Sequence, residues 1–253
     1  MTGSISVGIA AAAGTAVAET LAPALERDGF HALWVNDTPG ADALDVLAAA
    51  GRLTERLVLA VGVMPVDRRS PEDILARIDA LRLPAERLVL GIGAGSTKSG
   101  ALDRVREAAA TLQSSTAARV VIGALGPRMR RLGADASQGL LLSWLTPELA
   151  AEQSAAAHAS DPDAHVALYV RTAMDAAAVP RLREEAARYS TYPAYAAHFA
   201  RLGISADETL IDPTDGRERL EDYRSAVDEV VLRAITAGDA PEDYLRFVRR
   251  LMA

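Results

Sequence analysis

Apolar residues in this chain gather into short runs that are apolar at nearly every position. They are "SISVGI" (4–9), "ALWVN" (32–36), "LVLAVGV" (57–63), "LVLGI" (88–92), "RVVIGA" (119–124), "GLLLSW" (139–144), "HVALYVR" (165–171) and "DEVVLRA" (228–234). Strands that are apolar on both faces suit a parallel sheet covered by helices, because neither face meets water. Between the runs the apolar spacing changes to that of a helix. "ADALDVLAAAGRL" (41–53), "SPEDILARIDALR" (70–82), "GALDRVREAAATL" (100–112), "TPELAAEQSAAAH" (146–158) and the last stretch, "APEDYLRFVRRLM" (240–252), read this way. Two of them open on a helix-start signature. Ser70 and Thr146 precede a proline and an acid, which supply a cap, a pre-set first turn and a charge suited to the positive end of the helix dipole.

Eight strands alternating with helices predict a (β/α)8 barrel forming one domain over residues 1–253. Successive strands start 20 to 31 residues apart except for the last pair, about 63 apart. That gap must hold extra helices between strands 7 and 8, and "VPRLREEAARYSTYPAYAAHFARLGI" (179–204) supplies them. A doubly wound open sheet is the alternative, which strand count alone does not exclude.

Composition narrows the function. The 253 residues are half apolar, with 4% aromatics, and the net charge is −7 without an obvious basic face, which argues against a nucleic-acid partner. There are no cysteines, so disulfides, thiol catalysis and thiolate metal sites are excluded. The four histidines show no metal-ligand spacing. No apolar run reaches the ~18 residues a membrane helix needs. "VGIAAAAGTAVA" (7–18) resembles a signal-peptide core but follows no basic residue, so the expectation is a cytoplasmic protein with no membrane partner.

Candidate chemistry centres on "RLVLGIGAGSTKSG" (87–100), where a strand runs into Gly91, Gly93 and Gly95. Glycine weakens a strand and marks a close approach to the backbone. The stretch fits neither the G-x-G-x-x-G dinucleotide fingerprint nor a P-loop. In a barrel the site lies at the C-terminal strand ends. Those ends carry Asn36, Asp37 and Thr38; Gly62 and Val63; Gly93, Gly95 and Ser96; and Gly123, Ala124, Leu125 and Gly126. Ser143 and Trp144 follow strand 6, with Arg171 and Arg233 at the last two ends. "GALGPRMRRLG" (123–133) is either an anion site, with N–H groups of Ala124, Leu125, Gly126 and Arg128 at a helix start, or a plain strand–turn–helix joint. Asp37 is either a carboxylate at the mouth or a turn residue. Trp144, Tyr189, Tyr192 and Tyr195 either line a pocket or pack helices onto the barrel. His198 reads as a helix-surface residue.

Five segments in order, "ALWVND" (32–37), "LAVGVMPVDRRSPEDI" (59–74), "RLVLGIGAGS" (87–96), "ALGPRMRRLG" (124–133) and "GLLLSWLTPE" (139–148), resemble the bacterial luciferase-like family, nearest to its deazaflavin (F420)-dependent branch. The resemblance implies a (β/α)8 barrel, a homodimer, and F420 or FMN bound in the mouth. It implies a non-proline cis peptide at Gly62–Val63 behind the cofactor ring, cofactor contacts from Asn36, Asp37, Gly93 and Gly95, and a phosphate held by Gly123, Ala124, Leu125, Gly126 and Arg128. Asp37, Thr38 and Ser96 stand as the catalytic candidates. Thr38 and Ser96 depart from the family, which often has Asp-His after strand 2, where this chain has Asp37-Thr38, and in some members a Glu after the strand-4 glycines. Ser143 stands where Asn is common, and Gln138 where an Asp-Gly pair is common. The functions implied are an F420-dependent oxidoreductase exchanging a hydride with a small organic substrate, an FMN-dependent monooxygenase, or a non-catalytic relative that only binds a flavin-like ligand, or none.

Overall fold

The computed structural model describes residues 2–96 and 99–253. Eight parallel strands close into a barrel in chain order. They are β1 (Ser4–Ala10), β2 (Ala32–Asn36), β3 (Val58–Pro65), β4 (Leu88–Gly93), β5 (Arg119–Gly123), β6 (Gly139–Ser143), β7 (His165–Thr172) and β8 (Glu229–Ala234). β8 pairs with β1 from Ser4↔Glu229 to Gly8↔Arg233, which completes the cylinder and excludes the open sheet.

Each strand leads to a helix on the outside. The helices are α1 (Thr15–Arg27), α2 (Ala43–Gly51), α3 (Pro71–Leu81), α4 (Ala101–Ser115), α5 (Pro127–Ala136) and α6 (Pro147–Ser160), then α7 (Val179–Thr191), α8 (Pro193–Leu202), α9 (Gly216–Ala226) and α10 (Pro241–Met252). Ser70 and Thr146 cap α3 and α6 as their sequence context requires, accepting from the backbone N–H of Asp73 and Leu149. The stretch resembling a signal-peptide core divides between the end of β1, a short 3-10 turn and α1. The long gap before β8 contains α7, α8 and α9. No helix among the described residues is long and apolar enough to cross a membrane.

Three apolar cores result. The largest lies between the strands and their helices, with Leu21, Leu44, Leu47 and Ile74 packed on the outward strand residues. The second fills the barrel, where Trp34, Val89, Val121, Leu141, Tyr169 and Val231 point inward. The third is a satellite beneath α7 and α8, built on Trp144, Leu182 and Phe199. Below the barrel core, the Glu229 carboxylate accepts from Trp34 Nε1 at 2.6 Å, Ser6 Oγ at 2.5 Å and His165 Nε2 at 2.8 Å.

Candidate functional site

Successive strand side chains alternate between the barrel interior and the helices. The inward series on β2 is Ala32, Trp34, Asn36; on β7 it is Ala167, Tyr169, Arg171. Applied around the rim, this alternation builds a cleft of about 400 Å³ at the C-terminal strand ends. Its two halves differ. From β2 to β5 the wall is Asn36, Gly62, Val63, Gly93 and Gly123; from β6 to β7 it is Leu141, Ser143, Tyr169 and Arg171, with Tyr189 and Tyr195 of α7 and α8 above.

The first half is bare because the glycines make room for Val63. A Cβ on Gly123 would lie 2.7 Å from Val63 Cγ1, and one on Gly93 2.9 Å from Val63 Cγ2. A Cβ on Gly91 would lie 2.1 Å from the Val61 carbonyl oxygen. Gly62 leaves space for Leu141 and Tyr169. The peptide Gly62–Val63 is cis, as the resemblance implies. Here three steps on β3 face two on β4, since Val61 pairs with Leu90 and Met64 with Ile92. Asn36 Nδ2 donates to the Gly62 carbonyl at 2.5 Å. This corrects the expectation for the glycine stretch: what approaches its backbone most closely is the protein's own β3, and the product is a flat valine ledge facing the cleft. Gly95 is a separate case, with φ +68 and a Cβ position overlapping Asp67. Thr97 and Lys98, at the end of that stretch, lie outside the described residues.

Beside the ledge, Ala124, Leu125 and Gly126 line the cleft and lead into α5. α5 has Gly126 at its N-cap, no side-chain cap and Pro127 in its first turn. The Ala124 N–H donates to the Leu141 carbonyl at 3.1 Å, so this group, expected to face an anion, is committed to the barrel. Arg128 is exposed and off the cleft wall. Its expected charge comes instead from behind the turn, where Arg130 Nη1 and Arg201 Nη2 each donate to the Leu125 carbonyl at 2.8 Å. Burial first, and then the neighbouring Arg201 guanidinium, push the Arg130 pKa down.

None of the three catalytic candidates lines the cleft. Asn36 takes the inward position at the end of β2, so Asp37 turns outward. Asp37 accepts from the Ala43 N–H at 3.3 Å and lies 3.9 Å from Arg68, while Asp42 caps α2. Thr38 forms an isolated bridge with Ala41. Ser96 is bound through its N–H and hydroxyl to Asp67, at 2.8 and 3.0 Å. His198 is also not where the sequence reading put it: it is 1% exposed. Its Nε2 lies 2.9 Å from the Trp144 carbonyl and its Nδ1 2.9 Å from Arg201 Nη2. A carbonyl can only accept, so Nε2 carries a proton; Nδ1 also lies 3.2 Å from the Leu125 carbonyl, between that acceptor and the Arg201 donor. Burial, the largest influence, holds its pKa below the usual 6.5.

Sequence reasoning named Arg171 as a strand end without giving it a role, and missed Tyr169. The period-two alternation of β7 was the signal for both. Trp144 packs α7 and α8, whereas Tyr189 and Tyr195 do that and also face the cleft.

Residues 4–105 match the luciferase-like monooxygenase family, and the resemblance read from the sequence holds. The protein is a (β/α)8 barrel whose residues 4–105 match that family's model. No curated protein sequence matches it significantly. Among solved structures, this barrel is similar to the coenzyme F420 dependent tetrahydromethanopterin reductase from Methanopyrus kandleri, at 15% identity over 98% of this chain and 97% of that one, with a TM-score of 0.74. It is similar to an F420-dependent secondary alcohol dehydrogenase in complex with an F420–acetone adduct, at 16% identity over 92% and 93%, with a TM-score of 0.69. It is also similar to the oxygenating constituent of 3,6-diketocamphane monooxygenase of Pseudomonas putida, a type II Baeyer–Villiger monooxygenase in complex with FMN, at 12% identity over 98% and 97%, with a TM-score of 0.66.

Proposed function

We propose that the cleft binds coenzyme F420 and that the protein exchanges a hydride between this deazaflavin and a small organic substrate. The observation that carries the reading is the continuity of the Val63 ledge with the uncapped start of α5, a flat apolar seat beside an anion-compatible turn. Among similar structures, one is a complex with an F420–acetone adduct and another a complex with FMN, which supports a flavin-like occupant. The cofactor, when bound, supplies the hydride chemistry, and the protein supplies position and electrostatics.

The chain's own residues divide that work. Val63 and the Gly62–Val63 peptide support one face of the ring, and Asn36 holds the Gly62 carbonyl in place. The first-turn N–H groups of α5, with Arg130 and Arg201 behind them, attract the phosphate. Tyr189 and Tyr195 limit water from above.

Among the described residues, neither a carboxylate nor an imidazole lines this cleft. That observation favours a second reading, a ligand-binding relative without proton-transfer groups of its own. FMN-dependent monooxygenation is the third. Titration of the purified protein with F420 and with FMN, followed by fluorescence, is paired with assays of hydride exchange on small carbonyl compounds and of oxygen uptake with reduced flavin: F420 binding with hydride exchange supports the first, FMN binding with oxygen uptake the third, and ring binding with neither reaction the second.

The turn has its own test. Nothing lies within 4 Å of a Cβ on Gly126, so Gly126→Asp folds, and its carboxylate caps α5. It also repels a phosphate. Cofactor affinity should fall by at least ~10-fold, the scale of losing a charge-assisted hydrogen bond. Unchanged affinity rejects this turn as the phosphate site.

A further inference from the structure

The second half of the rim carries positive charge that the ring does not use. Glu185 of α7 lies 3.4 Å from Arg171 and 3.9 Å from Arg233, so in the buried cluster one carboxylate faces two guanidinium groups, while Arg188, 3.8 Å away, is 55% exposed and solvated. The other nearby cation, Arg181, has its own partner in Asp239 at 2.8 Å. Arg171 is 6% exposed, and its guanidinium lies 3.9 Å from the centre of the Trp144 ring and 5.0 Å from that of Tyr189. This stacking fixes its plane. Its Nη1 donates to the Ser143 hydroxyl oxygen, which leaves the Ser143 proton free to be donated. Ser143 and Arg171 both face the cleft, across from the valine ledge. A buried cation in excess of its counter-charge is costly unless an anion completes it.

We propose that Arg171 and Ser143 form a subsite for the anionic oxygen of the substrate, and that the substrate is a planar aromatic or conjugated carboxylate. Its plane would pack between the Tyr189–Tyr195 wall and a ring seated on Val63. The proposal rests on the reading of the bare half as the ring's seat. The anion is the substrate's rather than the cofactor's, because the turn before α5 provides separate donors and two further arginines for a phosphate.

Benzoate and its neutral counterpart benzamide are the probes, titrated calorimetrically with and without FMN. Wild-type protein should prefer benzoate by at least ~10-fold in one of these conditions, as expected for a charge-assisted pair. Ser143→Ala should weaken benzoate binding by ~5-fold, and Arg171→Gln should erase the preference. Glu185→Gln should tighten benzoate binding, an effect opposite in sign to that of a damaged fold. Equal binding of the two probes in both conditions, or weaker benzoate binding by a folded Glu185→Gln, overturns the proposal. So does loss of the FMN-over-riboflavin preference in Arg171→Gln, since that would give Arg171 to the cofactor phosphate. If benzoate is preferred while neither F420 nor FMN binds, the ring reading fails and the anion subsite stands.

Discussion

At the scale of single residues, the site turns on Val63. Its two methyl groups occupy the space that Cβ atoms on Gly93 and Gly123 would need. Gly123→Ala should therefore displace Val63, destabilise the protein by ~1–3 kcal/mol and weaken ring binding. Adding Val63→Ala should recover most of the stability but not the ring binding. Chemical denaturation of the two single variants and the double variant checks this; a neutral Gly123→Ala would mean that the ledge is not clasped. The glycines themselves were legible in the sequence, because a strand that gives up three side chains advertises a close approach. What approaches was not legible, since the answer lies on β3, a neighbour only in the closed sheet. Asp37 teaches the converse. Once Asn36 is inward, alternation sends Asp37 outward, and that inference needed no coordinates.

At the scale of elements, α7 and α8 complete the mouth. Their sequence announced helices but not their docking, which depends on Trp144 and His198. Trp144 has φ 58, and its carbonyl accepts the His198 proton at 2.9 Å. Arg201, bound to the same imidazole, also reaches the Leu125 carbonyl, so α8 pins the turn before α5. Because the folded His198 has a pKa held below 6.5, the native state binds fewer protons than the unfolded state just below that value. The stability it contributes is present above pH 6.5 and is lost as the pH falls toward the folded pKa. Thermal melts from pH 8 to pH 5 should show a steeper loss in wild type than in His198→Gln. Parallel losses would mean that another group carries the dependence. A histidine in "AYAAHFARLG" looks like a surface residue because the carbonyls that receive it, on β6 and the β5–α5 turn, lie far away in sequence.

At the scale of the whole molecule, the barrel carries its cleft above and an ionic plug below. Glu229 is 2% exposed, and Ser6 on β1, Trp34 on β2 and His165 on β7 donate to it. Burial pushes its pKa up, but the His165 and Ser6 hydrogen bonds and nearby histidine charge outweigh this and hold it below 4.5. Its contribution is therefore present above the ordinary carboxylate range and lost as the pH falls through the lower, folded pKa. Glu229→Ala strands the Trp34 and Ser6 donors and should cost ~3–5 kcal/mol near neutrality. Urea midpoints at pH 7 and pH 4 should converge between wild type and variant on acidification; a constant difference would place the loss in packing rather than charge.

The eight apolar runs, the helix-start signatures and the long gap before the last strand came from the sequence alone, because burial on both faces and local capping are written in neighbouring residues. The bare half-rim was also visible there, as glycines at strand ends. Only tertiary structure decided that the sheet closes, that β3 supplies the Val63 ledge, that Thr38 and Ser96 stay off the cleft wall, and that Arg171 meets Ser143 and Glu185. Closure and side-chain convergence bring together residues far apart in the chain, and no local pattern encodes which of them will meet.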